Sequence, residues 1–249
     1  MNGTPRTALA SLALAVGVLL AATGGAADPA VPLSRAAIEE VVREYLLAHP
    51  EVILQSIQAM QDRQRTTQQQ QAAQRLAARH DELYREPAAP VGGNPSGDVT
   101  VVEFFDYRCP YCRSVAETVA KLVESDPGVR LVYKELPILG PESVIAARAA
   151  LAAHAQGKYG AFHRALMSAP EPFTVETIAK LAAEAGLDPD RFRADMAEPQ
   201  IQAAIERNRT LARDLGITGT PTFVIGAQVV PGALTLEALK ALITQARAQ

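Results

Sequence analysis

The chain holds two cysteines, and two residues separate them: Cys109-Pro110-Tyr111-Cys112. A pair so close cannot staple a fold, because the loop it closes is too short to constrain the unfolded chain much. Disulfide-built domains use more cysteines and span longer loops. The fold must therefore rest on an ordinary packed core, and the pair is left for chemistry. That core is aliphatic, since the chain has no Trp and aromatics make up 5% of it. At 249 residues there is room for one generous domain, or one domain and a smaller module.

The amino terminus reads as a leader. Arg6 is a thin basic region, Ala8 to Leu20 is small and apolar throughout, and Gly25-Ala26-Ala27 suits a signal peptidase. Residues 1–27 are expected to be cleaved, with an uncleaved anchor as the alternative. The apolar run is about 13 residues, short of the roughly 20 that span a bilayer. Without Arg6 the formal charge goes from 24 − 27 = −3 to 23 − 27 = −4. A weakly acidic chain gives no reason to expect nucleic acid as a partner. Export to an oxidising compartment, together with a vicinal cysteine pair, points to redox work.

The rest divides in three. Residues 28–86 carry helical spacing only. Ser34 is an N-cap candidate; Ile38, Val41, Val42, Tyr45 and Leu46 recur on one face, and Val52, Ile53, Ile57 and Met60 continue it after Pro50. From Gln61 to Gln71, six of eleven residues are Gln, which can form a helix but bury nothing. An apolar face of about thirty residues cannot make its own core, so it must pack on copies of itself or fold back. The polar stretch favours self-association, and the segment is expected to be an oligomerisation stalk. Residues 87–97, rich in Pro and Gly, read as a linker. Residues 98–249 alternate strand and helix signals. Strands are expected at 99–105, 129–135, 222–225 and 228–230, and helices from Cys109-Pro110 to Ser125 and across an insert at about 141–216. The fold class is α/β, a mixed sheet with a parallel strand–helix–strand unit.

Chemistry is expected at the first turn of the helix after residue 108. Unpaired N–H groups and the helix dipole favour a thiolate there. Free Cys titrates near ~8.5, and helix-terminal CxxC thiols fall to ~3.5–7. Cys109 is assigned as nucleophile and Cys112 as resolving thiol, exchanging through a mixed disulfide. Pro110 suits the helix start, and Tyr111 completes the motif. Thr220-Pro221 precedes a strand, where a proline suits a cis turn that would leave the Thr220 backbone to pair with a client; an ordinary trans turn is the alternative. Glu103 sits in an apolar strand, where a carboxylate is costly unless paired or protonated. It is read as proton acceptor for Cys112, or else as an edge residue facing water. A zinc site lacks ligands, since His49, His80, His154 and His163 are scattered. Two thiolates could hold Cu(I) at Cys109 and Cys112. No cofactor beyond a Cys109–Cys112 disulfide is expected.

The run from Glu103 to Cys112 resembles the active-site strand and turn of the DsbA-like thioredoxin superfamily, which places a Glu six positions before the first Cys and a cis-Pro opposite the pair. Lys134 to Ser143 looks like a segment shared by a bacterial subset. Leu33 to Met60 resembles the amino-terminal domain of the suppressor-of-copper-sensitivity C (ScsC) proteins. The resemblance implies a thioredoxin fold with a helical insertion over about 98–249 and a periplasmic location. It also implies a homotrimer joined through residues 28–60, and disulfide isomerase activity. The partners implied are exported cysteine-containing clients and a membrane thiol reductant or oxidant. Pro-Tyr stands between the cysteines where DsbA has Pro-His, and Thr220 precedes the proline as in isomerases and reductases. The competing functions are a DsbA-like dithiol oxidase and a periplasmic Cu(I)-binding protein for copper tolerance.

Overall fold

The computed structural model describes residues 34–170 and 172–248. The expected leader, residues 1–27, lies outside them. The described residues up to Gln58 belong to one compact unit and those from Ala59 onward to another.

In the first unit, α1 (Arg35–Ala48) starts at Ser34, whose hydroxyl accepts from the Ala37 N–H. No residue of α1 is buried, and Val41, Val42 and Tyr45 are at least half exposed. Next, α2 (Glu51–Ala78) runs unbroken through the Gln-rich stretch, as straight-chain side chains allow. It buries only Leu76.

The second unit is built on a five-stranded sheet. Its further elements are α3 (His80–Tyr84), β1 (Val91–Gly93), β2 (Val99–Phe105), α4 (Pro110–Ser125) and β3 (Val129–Glu135). An insert follows: α5 (Pro141–Ala155), α6 (Tyr159–Ser168), α7 (Val175–Glu184), α8 (Pro189–Ala197) and α9 (Pro199–Asp214). The chain ends with β4 (Thr222–Ile225), β5 (Gln228–Pro231) and α10 (Leu236–Arg247). Strand order is β1-β3-β2-β4-β5, with β2 and β3 parallel and the other pairs antiparallel.

Alternation along β2 sorts the core. Val101 packs with Val115, Val119 and Leu122 of α4 and with Leu239 and Ile243 of α10. Val102 and Phe104 pack with Leu76, Leu83 and Leu211 on the other face. Beyond the end of the sheet, Phe105 and Tyr107 meet the alanine face of α5 together with Phe162 and Leu166. Alanine is a strong helix former with no side chain to order, so α5 forms readily and lets its neighbours approach closely.

Two expected boundaries move. Residues 87–97 are not only a linker, because Val91–Gly93 form a sheet strand paired with Arg130–Val132. A Cβ on Gly93 would lie 2.5 Å from the Val129 carbonyl oxygen, and φ there is 67°. Glycine is present for close approach rather than for slack. The helical segment expected to end at residue 86 also contributes to the second unit. Leu76 and Leu83 are 5% and 0% exposed in its core, and Lys134, wholly buried, donates to Glu86 Oε2 at 2.8 Å and to the Glu82 carbonyl at 2.7 Å.

Candidate active site

The parallel strands β2 and β3 end side by side at Phe105 and Glu135, and the loops that follow them carry the site. Binding groups gather at such strand ends in α/β folds. The turn after β2 leads to Cys109, the N-cap of α4, with Pro110 at the first helical position. Pro supplies no N–H, and none is needed there. Cys112 lies in that first turn. Both cysteines are free thiols, and exposure is graded rather than split: 5% for Cys109 and none for Cys112. The outer sulfur is more covered than an open attacking thiol would be. The cover is the segment before β4, where Cys109 Sγ donates to the Thr220 carbonyl oxygen at 3.2 Å. The Thr220–Pro221 peptide bond is cis. The Thr220 carbonyl, expected to be free for a client, is therefore occupied by the thiol while both cysteines are reduced. Tyr111 is 68% exposed beside them.

Burial pushes the Cys112 thiol up, against weaker help from the Asp106 backbone and the Thr220 side chain; negative charge on Cys109 or Glu103 pushes the same way. Glu103 is central in the sheet, flanked by Tyr133 on β3 and Phe223 on β4, so it is not an edge residue. It is 2% exposed, and burial pushes its carboxyl up to about 8. A group with that value is mostly protonated at pH 7 and half-protonated only near pH 8, so both forms are within reach for proton transfer with Cys112. A cleft of about 720 Å³ between α4, α6 and β1 is bordered by Glu103, Tyr133, His163, Arg113 and Arg164, while neither cysteine lines it.

Beside the site lies a buried polar cluster that the sequence does not announce. Tyr107 and Tyr159 donate to Glu135 Oε1 at 3.0 and 2.8 Å, and Tyr107 lies 3.0 Å from His163 Nδ1. Asn208 donates to the Glu135 carbonyl at 3.1 Å. Burial drives the Glu135 carboxyl well above the ordinary range, against the pull of the Tyr159 and Tyr107 hydroxyls, and pushes His163 down to about 3, so that the imidazole is neutral near pH 7. Glu135 Oε2 has no partner. Asp106 is 1% exposed and accepts three backbone N–H groups. The pairing of β2 with β3 and the packing of α6 and α9 of the insert bring these residues together, which is why spacing along the chain misses them. His163 is structural, and among the described residues no group of three or more His, Cys, Asp or Glu is placed to hold a metal ion. No described helix is long and apolar enough to cross a membrane.

Residues 100–244 match the family model of a DSBA-like thioredoxin domain, and residues 35–66 match that of the copper resistance protein ScsC N-terminal domain. A solved thioredoxin-like oxidoreductase from Silicibacter pomeroyi is 50% identical; the match covers 68% of this chain and 98% of that one, with a TM-score of 0.66. The catalytic domain of Proteus mirabilis ScsC is 29% identical over 71% of this chain and 99% of that one, also at a TM-score of 0.66. Among curated proteins, a Na(+)/H(+) antiporter NhaA of Salinispora tropica is 32% identical over 158 residues. That match takes in 63% of this chain, and the chain spans about a quarter (24%) of the antiporter's length.

Proposed function

The chain belongs to the DsbA-like thioredoxin family of thiol–disulfide oxidoreductases, and on that footing we propose that it isomerises or reduces disulfides of exported proteins in the periplasm. The observation that carries this is the placing of Cys109 at the start of α4, 3.2 Å from the Thr220 carbonyl, with Cys112 buried within the same turn. The Cys109 thiolate attacks one sulfur of a client disulfide. A mixed disulfide forms, the old S–S bond breaks, and the client's other sulfur leaves as thiolate. In isomerisation a client thiolate displaces Cys109 and restores it. In reduction Cys112 loses its proton to Glu103 and attacks Cys109, leaving a Cys109–Cys112 disulfide and a client thiol. A membrane thiol reductant then returns the pair to the dithiol. Thr220 and cis Pro221 seat the client backbone, with Pro110 and Tyr111 beside it.

Residues 28–60 join three copies in this reading. Support comes from the match to the ScsC amino-terminal model and from the exposed apolar side chains of α1 and α2. Several catalytic units on one stalk would hold a misfolded client while its bonds are reshuffled.

Two measurements test the reading. A Cys112→Ser variant expressed in the periplasm should accumulate mixed disulfides with exported proteins, and Cys109→Ser should accumulate none. Refolding of a scrambled multi-disulfide protein should proceed with the native chain. Absence of refolding, with rapid dithiol oxidation and a potential near about −120 mV, would instead establish the oxidase.

The match of residues 35–66 to a copper resistance family favours a second reading. Both thiolates could hold Cu(I), a soft ion content with few ligands. Stoichiometric Cu(I) binding lost in Cys109→Ser, without client trapping by Cys112→Ser, would establish that role in place of exchange.

A further inference from the structure

Glu103 borders a cleft that neither cysteine lines, so a molecule in solution can reach this carboxyl without meeting the sulfurs. The cleft holds about 720 Å³ between α4, α6 and β1, within the range of small-molecule sites. Three polar groups border it with bonding capacity that the protein leaves unused. Glu103 is 2% exposed, and among the described residues its carboxyl has no hydrogen-bond partner. The Tyr133 hydroxyl has none among them either, and Gly92 leaves room beside it, since a Cβ there would lie 3.1 Å from that hydroxyl. His163, 7% exposed, uses Nδ1 toward Tyr107 and leaves Nε2 unpaired among the described residues. Buried polar groups are ordinarily paired, so three left open on one cleft call for something that pairs with them.

The rest of the lining narrows the class of ligand. Ala116, Val119 and Ala120 of α4 and Met167 of α6 supply an apolar wall. Two guanidinium groups also line the cleft. Arg113 is engaged, donating to the Tyr107 and Ala169 carbonyls. Arg164 is exposed and has no ion-pair or hydrogen-bond partner among the described residues. Burial sets the main shifts of Tyr133, upward, and of His163, downward, but the Arg164 charge lowers both, which places it beside them. Of the two acids on the cleft besides Glu103, Glu117 pairs with Lys121 at 2.6 Å, and Glu124 sits about three turns beyond Arg113 along α4. The free charge next to the open polar groups is therefore positive. A hydroxyl donates and accepts, so it can pair with a neutral carboxyl, a phenol and either tautomer of an imidazole.

We propose that this cleft binds a small hydroxylated carboxylic acid, with its carboxylate on Arg164, its apolar body against α4 and Met167, and its hydroxyl among Glu103, Tyr133 and His163. The consequence for catalysis rests on the exchange reading given above and adds a regulator to the same site. A hydroxyl that accepts a hydrogen bond from Glu103 favours the protonated carboxyl. Glu103 is then a poorer acceptor for the Cys112 proton. Release of the mixed disulfide slows, while the first attack by Cys109 does not.

The test uses the reduced full chain and para-hydroxybenzoate, compared with benzoate, which lacks the hydroxyl, and with the methyl ester of para-hydroxybenzoate, which lacks the charge. Calorimetry should show one para-hydroxybenzoate bound per chain. Benzoate and the ester should each bind at least about tenfold more weakly, the scale of one lost hydrogen bond to a charged or buried group. Arg164→Gln, a change on an exposed position of α6, should weaken para-hydroxybenzoate to the level of its ester. No saturable heat at millimolar concentration, or equal binding of all three compounds, overturns the site. Undiminished binding to Arg164→Gln overturns the placing of the carboxylate. Exchange is read by absorbance with a dipyridyl disulfide. The Cys109 thiolate attacks one sulfur, the pyridyl S–S bond breaks, and a first pyridyl thiolate leaves. Cys112 then loses its proton to Glu103 and attacks the Cys109 sulfur, and a second pyridyl thiolate leaves as the Cys109–Cys112 disulfide forms. Saturating para-hydroxybenzoate should slow the second release by at least about tenfold, within the usual effect of a positioned proton acceptor, and leave the first unchanged. The same concentration should alter neither release in Arg164→Gln. Binding with an unaltered second release overturns the link to Glu103. No pyridyl thiol without ligand would mean that exchange itself is absent, while calorimetry still decides the site.

Discussion

At the scale of residues, burial withholds water from Glu103 and Cys112 and so disfavours the charged form of each. Glu103 titrates near about 8 in the folded chain against an ordinary 4.5. Between those values the folded chain keeps a proton that the unfolded chain has released. Stability from this group is therefore whole below about pH 4.5 and is lost as pH rises toward about 8. Glu103→Gln removes the group and its pH dependence. In the dithiol state its unfolding free energy should gain on that of the parent between about pH 5 and about pH 8, by at most ~1.4 kcal/mol per pH unit, and its thermal midpoint should rise relative to the parent's over the same range. Parallel midpoint curves would refute the assignment. The same variant should slow the resolving step near neutral pH, seen as longer-lived mixed disulfides. Residue types at the centre were legible in the sequence: a vicinal pair, a carboxylate in an apolar strand and a proline ahead of another strand each break a local rule. Asp106, Glu135 and His163 break none. An Asp in a turn or a Glu at a strand end is ordinary until β2 and β3 lie side by side.

Among the elements, β2, β3 and β4 were readable because β-branched and aromatic residues crowd them and turns bound them. The strand β1 was not, since Val91-Gly92-Gly93 has one side chain to offer and looks like slack. The docking of the end of α2 and of α3 was hidden for a related reason: Leu76 and Leu83 are isolated among polar neighbours, and only the far side of the sheet gives them a core to join. The anchor beside them is electrostatic. Burial opposes charge on Glu86, yet Lys134 and Arg207 hold its carboxyl below the usual range. Glu86→Ala leaves the Lys134 ammonium buried without its carboxylate, which should cost about 3–5 kcal/mol in urea unfolding. The double change Lys134→Met with Glu86→Leu should recover most of that loss, because it removes both charges together. Equal losses in the single and double variants would place the stabilisation elsewhere.

At the scale of the whole molecule, the amphipathic helices and the redox unit pose separate problems. Ile38, Val42, Ile53 and Ile57 are each between 44% and 50% exposed, and Val41 and Leu54 more. Exposed apolar side chains recurring at helical spacing mark a contact surface. Light scattering should give the mass of three chains for the native protein. It should fall to that of one chain when Ile38 and Ile57 are both changed to Glu, with catalytic-unit folding unaltered by circular dichroism. A native mass of one chain would remove the stalk from the account. The slight residual exposure of Cys109, beside a Cys112 with none, also has a practical result. A reagent from solution can start work on the thiols at one atom only, and whatever it attaches there faces ejection by the inner neighbour. Agents that bond through sulfur should leave no lasting mark, whereas an alkylating agent, whose carbon a thiolate does not displace, should build up to one adduct per chain. The molecule thus sorts its modifiers by whether their bond can be undone.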